Sequence, residues 1–512
     1  MRRAPAEVVF ALLSIVTCLG GLVTGADRAT SAATDRTGLT SKIDWKPCGA
    51  RLQCARVRVP LDWSHRDRRF VSLPVVRHLA SRPGLRLGSL FVNGGGATGS
   101  TDLVKADGAR LDALGGGRFD VIGWALRGTA GAPVVRCFAS RHSRTRLWNG
   151  SSIPTTGAQS RRFLPKVREY ARRCSALSGS LLAHVSTIDD ARDLDYLRRL
   201  VGDRTLTYHG VSYGTFLGQT YANEFPRRVR AMVLDGLVDP RVVRRGAEAR
   251  FADTVAGMDG GLRSFESLCQ DAGPARCALA GHSSVANQVG RLLASLRHGP
   301  VRAPRARPPG GLRYGDALVA LFATLSNPRA WPALARDLNE ALGGDGSALA
   351  TLGRTALTGV RSPAGDAPEA IICADSPARQ PLKAWRGVLT RLIRVSRIGG
   401  PFVGWTGWAP CAAWRRPNGH TYAGRWDAAT RHPILVVGTR FDPNTPYANA
   451  RHVARLLGNA VLLTHDGYGH TSEADPSRCV EHAVTAYLVQ LRSPRSGTVC
   501  LSDRKPFDRD FG

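Results

Sequence analysis

Residues 206–215 read Leu-Thr-Tyr-His-Gly-Val-Ser-Tyr-Gly-Thr, and they leave the chain few ways to fold. A short apolar strand at 205–208 runs into Gly210-Val211-Ser212-Tyr213-Gly214, and a helix-compatible run over 215–224 follows before Phe225-Pro226 ends it. A serine on so sharp a strand-to-helix turn holds a strained backbone and an exposed hydroxyl, and glycine two residues to either side lets strand and helix approach. Ser212 is thereby a candidate nucleophile. The pattern alone is weak in a chain with 56 glycines, where a glycine-flanked loop serine satisfies it equally well. The rest of the sequence has to decide.

The flanking segments alternate strand and helix. Residues 55–59 and 70–76 alternate in polarity as antiparallel strands at a sheet's outer edge. Residues 87–92 form a buried strand that empties into Asn93-Gly94-Gly95-Gly96-Ala97-Thr98-Gly99-Ser100. A glycine-rich turn directly after a strand brings backbone N–H groups close to a ligand. A phosphate would call for a following Gly-Lys-Ser/Thr, which is absent, whereas an oxyanion hole needs such a turn after the third strand. Another buried strand at 119–124 precedes Arg127-Gly128-Thr129, a helical period covers 158–200 with 186–190 capping a helix over 191–200, and a strand at 230–234 ends in Asp235-Gly236.

Between 241 and 425 this rhythm gives way to helical segments, an Arg/Pro/Gly-rich loop at 302–311, and tryptophans at 331, 385, 405, 408 and 414. The sheet resumes at 432–438 and, after a helix over 446–457, at 460–464. The expected fold is therefore α/β: a mostly parallel, doubly wound sheet whose core comprises 34–240 and 426–512, with 241–425 inserted as a mainly helical cap. At 512 residues the chain is long enough for such an insertion.

Each resumed strand delivers one polar residue to its carboxyl end, where ligands of open α/β sheets bind. The strand at 432–438 leads to Asp442 and that at 460–464 leads to His470. The order Ser212, Asp442, His470 is that of an α/β-hydrolase triad. A serine hydroxyl is a poor nucleophile until a neutral imidazole takes its proton; His470 would do this, with Asp442 fixing the tautomer and stabilising the imidazolium. Taken singly, His470 reads as a loop histidine and Asp442 as a turn aspartate before Pro443. Asp466, four residues before the histidine, is a rival acid that would more simply cap the turn. The backbone N–H groups of Gly96 and Tyr213 are the expected oxyanion donors.

Compartment follows from the first residues and the cysteines. Arg2 and Arg3 precede an apolar run at 8–23, and small residues near 26 and 31–33 offer cleavage sites, so 1–33 reads as an export signal. The run is too short for a stable membrane span in the mature form. Cys18 fits a lipid-anchor motif poorly, which makes a secreted protein the expectation and a lipid-anchored one the alternative. Ten further cysteines in an exported chain argue for disulfides. Their spacings suggest the neighbours Cys48 with Cys54, Cys137 with Cys174, Cys269 with Cys277, Cys373 with Cys411, and Cys479 with Cys500, although spacing alone leaves connectivity open. No Cys-x-x-Cys pair occurs, so neither a metal nor another cofactor is expected. The formal charge is +31, but only 6 of the 71 basic residues are lysine and they are spread along the chain without aromatic stacking motifs. Nucleic acid is not an expected partner; compositional drift toward arginine accounts for the charge, with weak adhesion to anionic cell-wall polymers as the alternative.

Cys48 to Cys54 with Pro60-Leu61-Asp62, the Gly-Val-Ser-Tyr-Gly-Thr elbow, Val233-Leu234-Asp235-Gly236, Gly438-Thr439 with Asp442-Pro443 and Thr445-Pro446-Tyr447, and Gly467-Tyr468-Gly469-His470 together resemble the secreted tripeptidyl aminopeptidases of actinobacteria. These are proline-iminopeptidase-like serine peptidases of the α/β-hydrolase fold. The likeness covers about residues 43–502 and implies removal of short peptides from free N-termini through an acyl-enzyme. An esterase or lipase acting on envelope or small-molecule esters is the alternative within the same chemistry, and a catalytically weak binding relative the alternative outside it. Two turns depart from the family. Its Asn-Pro-Gly-Gly-Pro-Gly appears as Asn93-Gly94-Gly95-Gly96-Ala97-Thr98, and its Asp-Pro-Arg-Gly as Ala125-Leu126-Arg127-Gly128, which leads one to expect a looser oxyanion loop that proline at 94 and 97 would stiffen. An exopeptidase also needs a carboxylate for the substrate ammonium. Asp375, in a segment resembling the family's cysteine-anchored stretch, is the first candidate and Glu369 the second.

Overall fold

The structure is a computed structural model and describes residues 38–65, 69–281, 283–414 and 420–509. The expected export signal lies outside these residues. The strands, in chain order, are β1 (Lys46–Gly49), β2 (Leu52–Pro60), β3 (Phe70–His78), β4 (Gly88–Asn93), β5 (Phe119–Trp124), β6 (Leu206–Val211), β7 (Val229–Asp235), β8 (Val301–Ala303), β9 (Gly310–Leu312), β10 (Ile434–Phe441), β11 (Ala460–Tyr468) and β12 (Val499–Leu501). Ten of them make one sheet in the order β1-β2-β3-β5-β4-β6-β7-β10-β11-β12. Pairing is antiparallel from β1 to β5 and parallel from β5 to β12.

The central strands are apolar at successive positions because both faces are covered, the signature of a parallel sheet wound with helices on two sides. Leu90, Val121, Val233 and Val437 join Val104, Leu111, Val484 and Tyr487 of the helices Thr101–Leu114 and Arg478–Gln490 on one face. Phe91, Ile122, Leu234 and Val436 point the other way, toward Leu194, Leu217 and Val453 of the helices Thr187–Leu200, Tyr213–Glu224 and Tyr447–Leu456. The doubly wound expectation holds.

Between β7 and β10 the chain leaves the sheet for a succession of helices, from Pro240–Arg244 to Ala409–Ala413, that includes the helix Tyr314–Leu325. Within it, the stretch expected to be an irregular loop at 302–311 is flanked by β8 and β9, which pair antiparallel as a small hairpin. Other boundaries also shift. The helix expected from 191 starts at Thr187, and β1 and β12 are short edge strands whose brevity hid them from a periodicity reading. The glycine-rich turn consequently follows the fourth strand of the chain, not the third.

All five suggested cysteine pairs are bonded: Cys48–Cys54, Cys137–Cys174, Cys269–Cys277, Cys373–Cys411 and Cys479–Cys500. Among the described residues no helix is long and apolar enough to cross a membrane.

Candidate active site

Ser212 sits between β6 and the helix Tyr213–Glu224 with φ 55° and ψ −119°, a backbone conformation that side-chain-bearing residues rarely adopt. Several contacts hold it there. Its N–H donates to the Asp235 carbonyl at 2.8 Å, and its own carbonyl accepts from the Thr215 N–H (2.9 Å) and hydroxyl (2.6 Å). Gly214 is required by close approach, since a Cβ there would stand 2.5 Å from the Asn93 carbonyl oxygen.

Asp442 and His470 leave the neighbouring strand ends and meet. Nδ1 of His470 lies 3.0 and 3.1 Å from the two Asp442 carboxylate oxygens, and both side chains are buried. The carboxylate is otherwise saturated: Oδ1 accepts from the N–H groups of Asn444 (2.8 Å) and Thr445 (2.9 Å), and Oδ2 from the Thr445 hydroxyl (2.7 Å) and the Thr471 N–H (3.0 Å). Burial works against the charge on Asp442, but the imidazole and the Thr445 donors outweigh it and hold the carboxyl below its ordinary range. Burial likewise disfavours the imidazolium of His470, yet Asp442, helped by Asp235 and Glu473, raises its pKa above the ordinary value. The rival acid Asp466 is turned away and pairs with Arg440 at 2.7 Å.

The segment between β7 and β10 closes on the same site. The His470 N–H donates to the Ser326 carbonyl at 2.8 Å, just beyond the helix Tyr314–Leu325, and the Ser326 hydroxyl donates to Asn444 Oδ1 at 3.1 Å. No local pattern in the sequence marks Ser326.

The glycine-rich loop approaches Ser212 through Gly95, where a Cβ would lie 2.8 Å from that of the serine. The Gly95 N–H is committed to Asn93 Oδ1 (3.0 Å), and the Asn93 amide donates to the Thr98 carbonyl (3.2 Å), so one side chain ties both ends of the loop. Among the described residues no acceptor takes the N–H of Gly96 or Tyr213. In place of the two prolines, the Asn93 side chain braces the loop. Ala97 has φ 52°, which a proline ring fixed near −65° cannot adopt, so this loop follows a different path in which asparagine does the bracing.

The two acids proposed to meet an ammonium group lie around Arg250. Asp375 is buried and accepts from the Thr187 N–H (2.9 Å) and hydroxyl (2.6 Å); that hydroxyl also lies 2.5 Å from the Tyr213 phenol. Burial, only partly offset by Arg250, pushes the Asp375 carboxyl up to about 6. Glu369 has its carboxylate 3.5 Å from the Cys373 sulfur, which in a disulfide has no proton to donate. Burial drives its pKa well above the ordinary value, again against the pull of Arg250.

Arg127, in the second divergent turn, is a buried cation absent from the expected site. It makes a bidentate pair with Asp193 at 2.6 and 2.7 Å, donates to the carbonyls of Leu61 (2.6 Å) and Pro60 (2.8 Å), and its N–H reaches Asp190 at 2.9 Å.

Two family descriptions match the chain, "TAP-like protein" over residues 399–500 and "alpha/beta hydrolase fold" over residues 168–260. Similar proteins include serine protease Hip1 of Mycobacterium tuberculosis, 33% identical over 90% of this chain and 91% of its own length. Carboxylesterase B of the same organism is 31% identical over 98% and 99% of the two chains. Tripeptidyl aminopeptidase of Streptomyces lividans is 28% identical over 91% and 87%.

Proposed function

The chain belongs to the TAP-like family of α/β hydrolases and is a hydrolytic enzyme, and from that premise we propose that it is a secreted serine exopeptidase releasing tripeptides or similar short peptides. The observation that supports serine hydrolysis is the buried Asp442–His470 pair, whose loop is tied through Asp235 to the turn that holds Ser212 at positive φ. Ser212 attacks the scissile carbonyl while His470 accepts its proton, and the imidazolium is stabilised by Asp442. The tetrahedral oxyanion is met by the N–H groups of Gly96 and Tyr213, both free of other acceptors among the described residues. His470 then protonates the leaving amine, and water hydrolyses the acyl-enzyme by the reverse proton path.

The free N-terminus is taken by the acids around Arg250. Asp375 spends lone pairs on Thr187, whereas Glu369 has no N–H or O–H donor among the described residues, so a substrate ammonium would complete its environment. Five disulfides suit an oxidising compartment. Weak adhesion to anionic wall polymers would draw on the exposed arginines Arg241, Arg244, Arg245 and Arg379, which border one open surface. An ester substrate is the second reading, favoured by the similarity to a carboxylesterase along nearly the whole chain.

A panel of chromogenic tripeptides with free and blocked N-termini, run beside short-chain esters, separates the two. Hydrolysis that requires the free amine, and that Ser212→Ala abolishes, is expected. Equal rates on blocked peptides, or esters cleaved in preference to every peptide, would overturn the exopeptidase reading.

A further inference from the structure

One residue touches both halves of the proposed catalytic pair. Asp235 ends β7; its carbonyl accepts the Ser212 N–H at 2.8 Å, and its carboxylate accepts the N–H (3.0 Å) and hydroxyl (2.6 Å) of Ser472, two residues beyond His470. The next residue, Gly236, lies so close to the histidine loop that a Cβ would come within 2.5 Å of Thr471 Cγ2. On the other side of His470, the Asp475 carboxylate accepts the Tyr468 N–H at 2.7 Å and the Ser502 hydroxyl at 2.5 Å. With Asp442 taking the Thr471 N–H and Ser326 the His470 N–H, the backbone donors of 468, 470, 471 and 472 are all committed, three of them to buried carboxylates. Burying three acids around one short loop is costly unless each does something a neutral group would do less well.

We infer that Asp235 and Asp475 are positioning residues that clamp the backbone on either side of His470, and that Asp235 also locks the histidine loop to the nucleophile turn. The clamp rests on the reading of Ser212, Asp442 and His470 as the reacting groups. A carboxylate accepts two or more N–H and O–H bonds at fixed angles, so it fixes a turn more tightly than one neutral acceptor. An imidazole displaced by a fraction of an ångström loses its alignment with both partners.

The two clamps differ electrically. The charged groups facing Asp235 are Glu473 and Asp442, and those acting on His470 are Asp442, Asp235 and Glu473; Glu473 is itself paired with Arg110 at 3.5 Å. Burial pushes the Asp235 carboxyl up to about 7 against the pull of Ser472. Asp475 faces His465 at 4.0 Å, with Arg329 and Asp503 nearby, and is pushed up by burial to about 6; it is not among the principal charges acting on His470. Where Asp235 is ionised it favours the protonated form of His470, so Asp235→Asn removes that contribution and, over the range around and above 7 in which Asp235 holds its charge, moves the acid limb of activity to lower pH. Removing the Asp475 charge leaves that limb in place.

The test is the rate of covalent labelling by a fluorophosphonate, followed against pH in the full disulfide-bonded protein, with the thermal midpoint recorded alongside. Asp235→Asn and Asp475→Asn are expected to slow labelling, by up to about 100-fold for a displaced reacting group, with the acid limb shifted downward in Asp235→Asn alone. A merely structural role would lower the midpoint and leave the rate per folded molecule and the limb unchanged, and that result overturns the inference. Should either variant fail to fold, Ser472→Ala and Ser502→Ala keep the charges and remove one donor each; unchanged rates in both would equally overturn it. Wild-type protein that is not labelled, or is labelled equally in Ser212→Ala, defeats the triad reading itself, an outcome distinct from labelling that is normal in the aspartate variants.

Discussion

At the residue scale, the arrangement around His470 makes a definite pH prediction. The imidazole must be neutral to accept the serine proton, and its pKa is raised above 6.5, so kcat/KM is expected to fall as pH drops through a value above 6.5. A limb centred below that value in a kcat/KM profile would contradict the burial and pairing described here. Ala97 makes a second prediction. The family resemblance suggests that proline at 97 would stiffen the oxyanion loop, but φ 52° excludes the ring, so Ala97→Pro should lose turnover by about 100-fold or more if it displaces the Gly96 donor. Steady-state kinetics on a folded variant checks this. The proposed nucleophile, acid and base are legible because each sits where a strand of readable polarity ends. The sign of φ at Ala97 was not, because it is set by the Asn93 side chain bridging to Gly95 and Thr98.

At the scale of elements, Arg127 joins the β2–β3 connection, the turn after β5 and the helix Thr187–Leu200 in one buried node, to which Trp63 adds a donor on Asp193 at 2.8 Å. Replacing one member of such a node strands the others in a low-dielectric interior. Arg127→Met is expected to cost about 3–5 kcal/mol, measured by denaturant unfolding, because Asp193 would be left buried without its cation. Pairing Arg127→Met with Asp193→Leu should recover much of the loss. The sequence shows Arg127 only as a turn residue after a strand; its partner lies 66 positions away, and no local periodicity couples positions that far apart. The short hairpin β8–β9 escaped for the opposite reason, being three residues per strand in a proline- and arginine-rich stretch.

For the whole molecule, one cross-link is placed where the sheet cannot help. Cys373–Cys411 joins two helices of the segment between β7 and β10 and closes 38 residues, a loop whose closure entropy corresponds to about 4 kcal/mol in the chain-entropy account. Substituting both cysteines by alanine should lower the denaturation midpoint while β-sheet circular dichroism is retained below it. The strand order holds a further consequence. β7 and β10 are hydrogen-bonded neighbours, with Leu435 opposite Val233 and Val437 opposite Asp235, although nearly two hundred residues separate them in the chain. The excursion therefore leaves the carboxyl end of β7 and re-enters at the amino end of its neighbour β10, and it meets the proposed reacting groups through the Ser326 carbonyl on the His470 N–H and through Gly257, where a Cβ would lie 2.3 Å from the Asp442 carbonyl oxygen. Evolution can lengthen, shorten or exchange such an excursion without disturbing any strand pairing, so relatives with the same bond-breaking apparatus are free to diverge in diet.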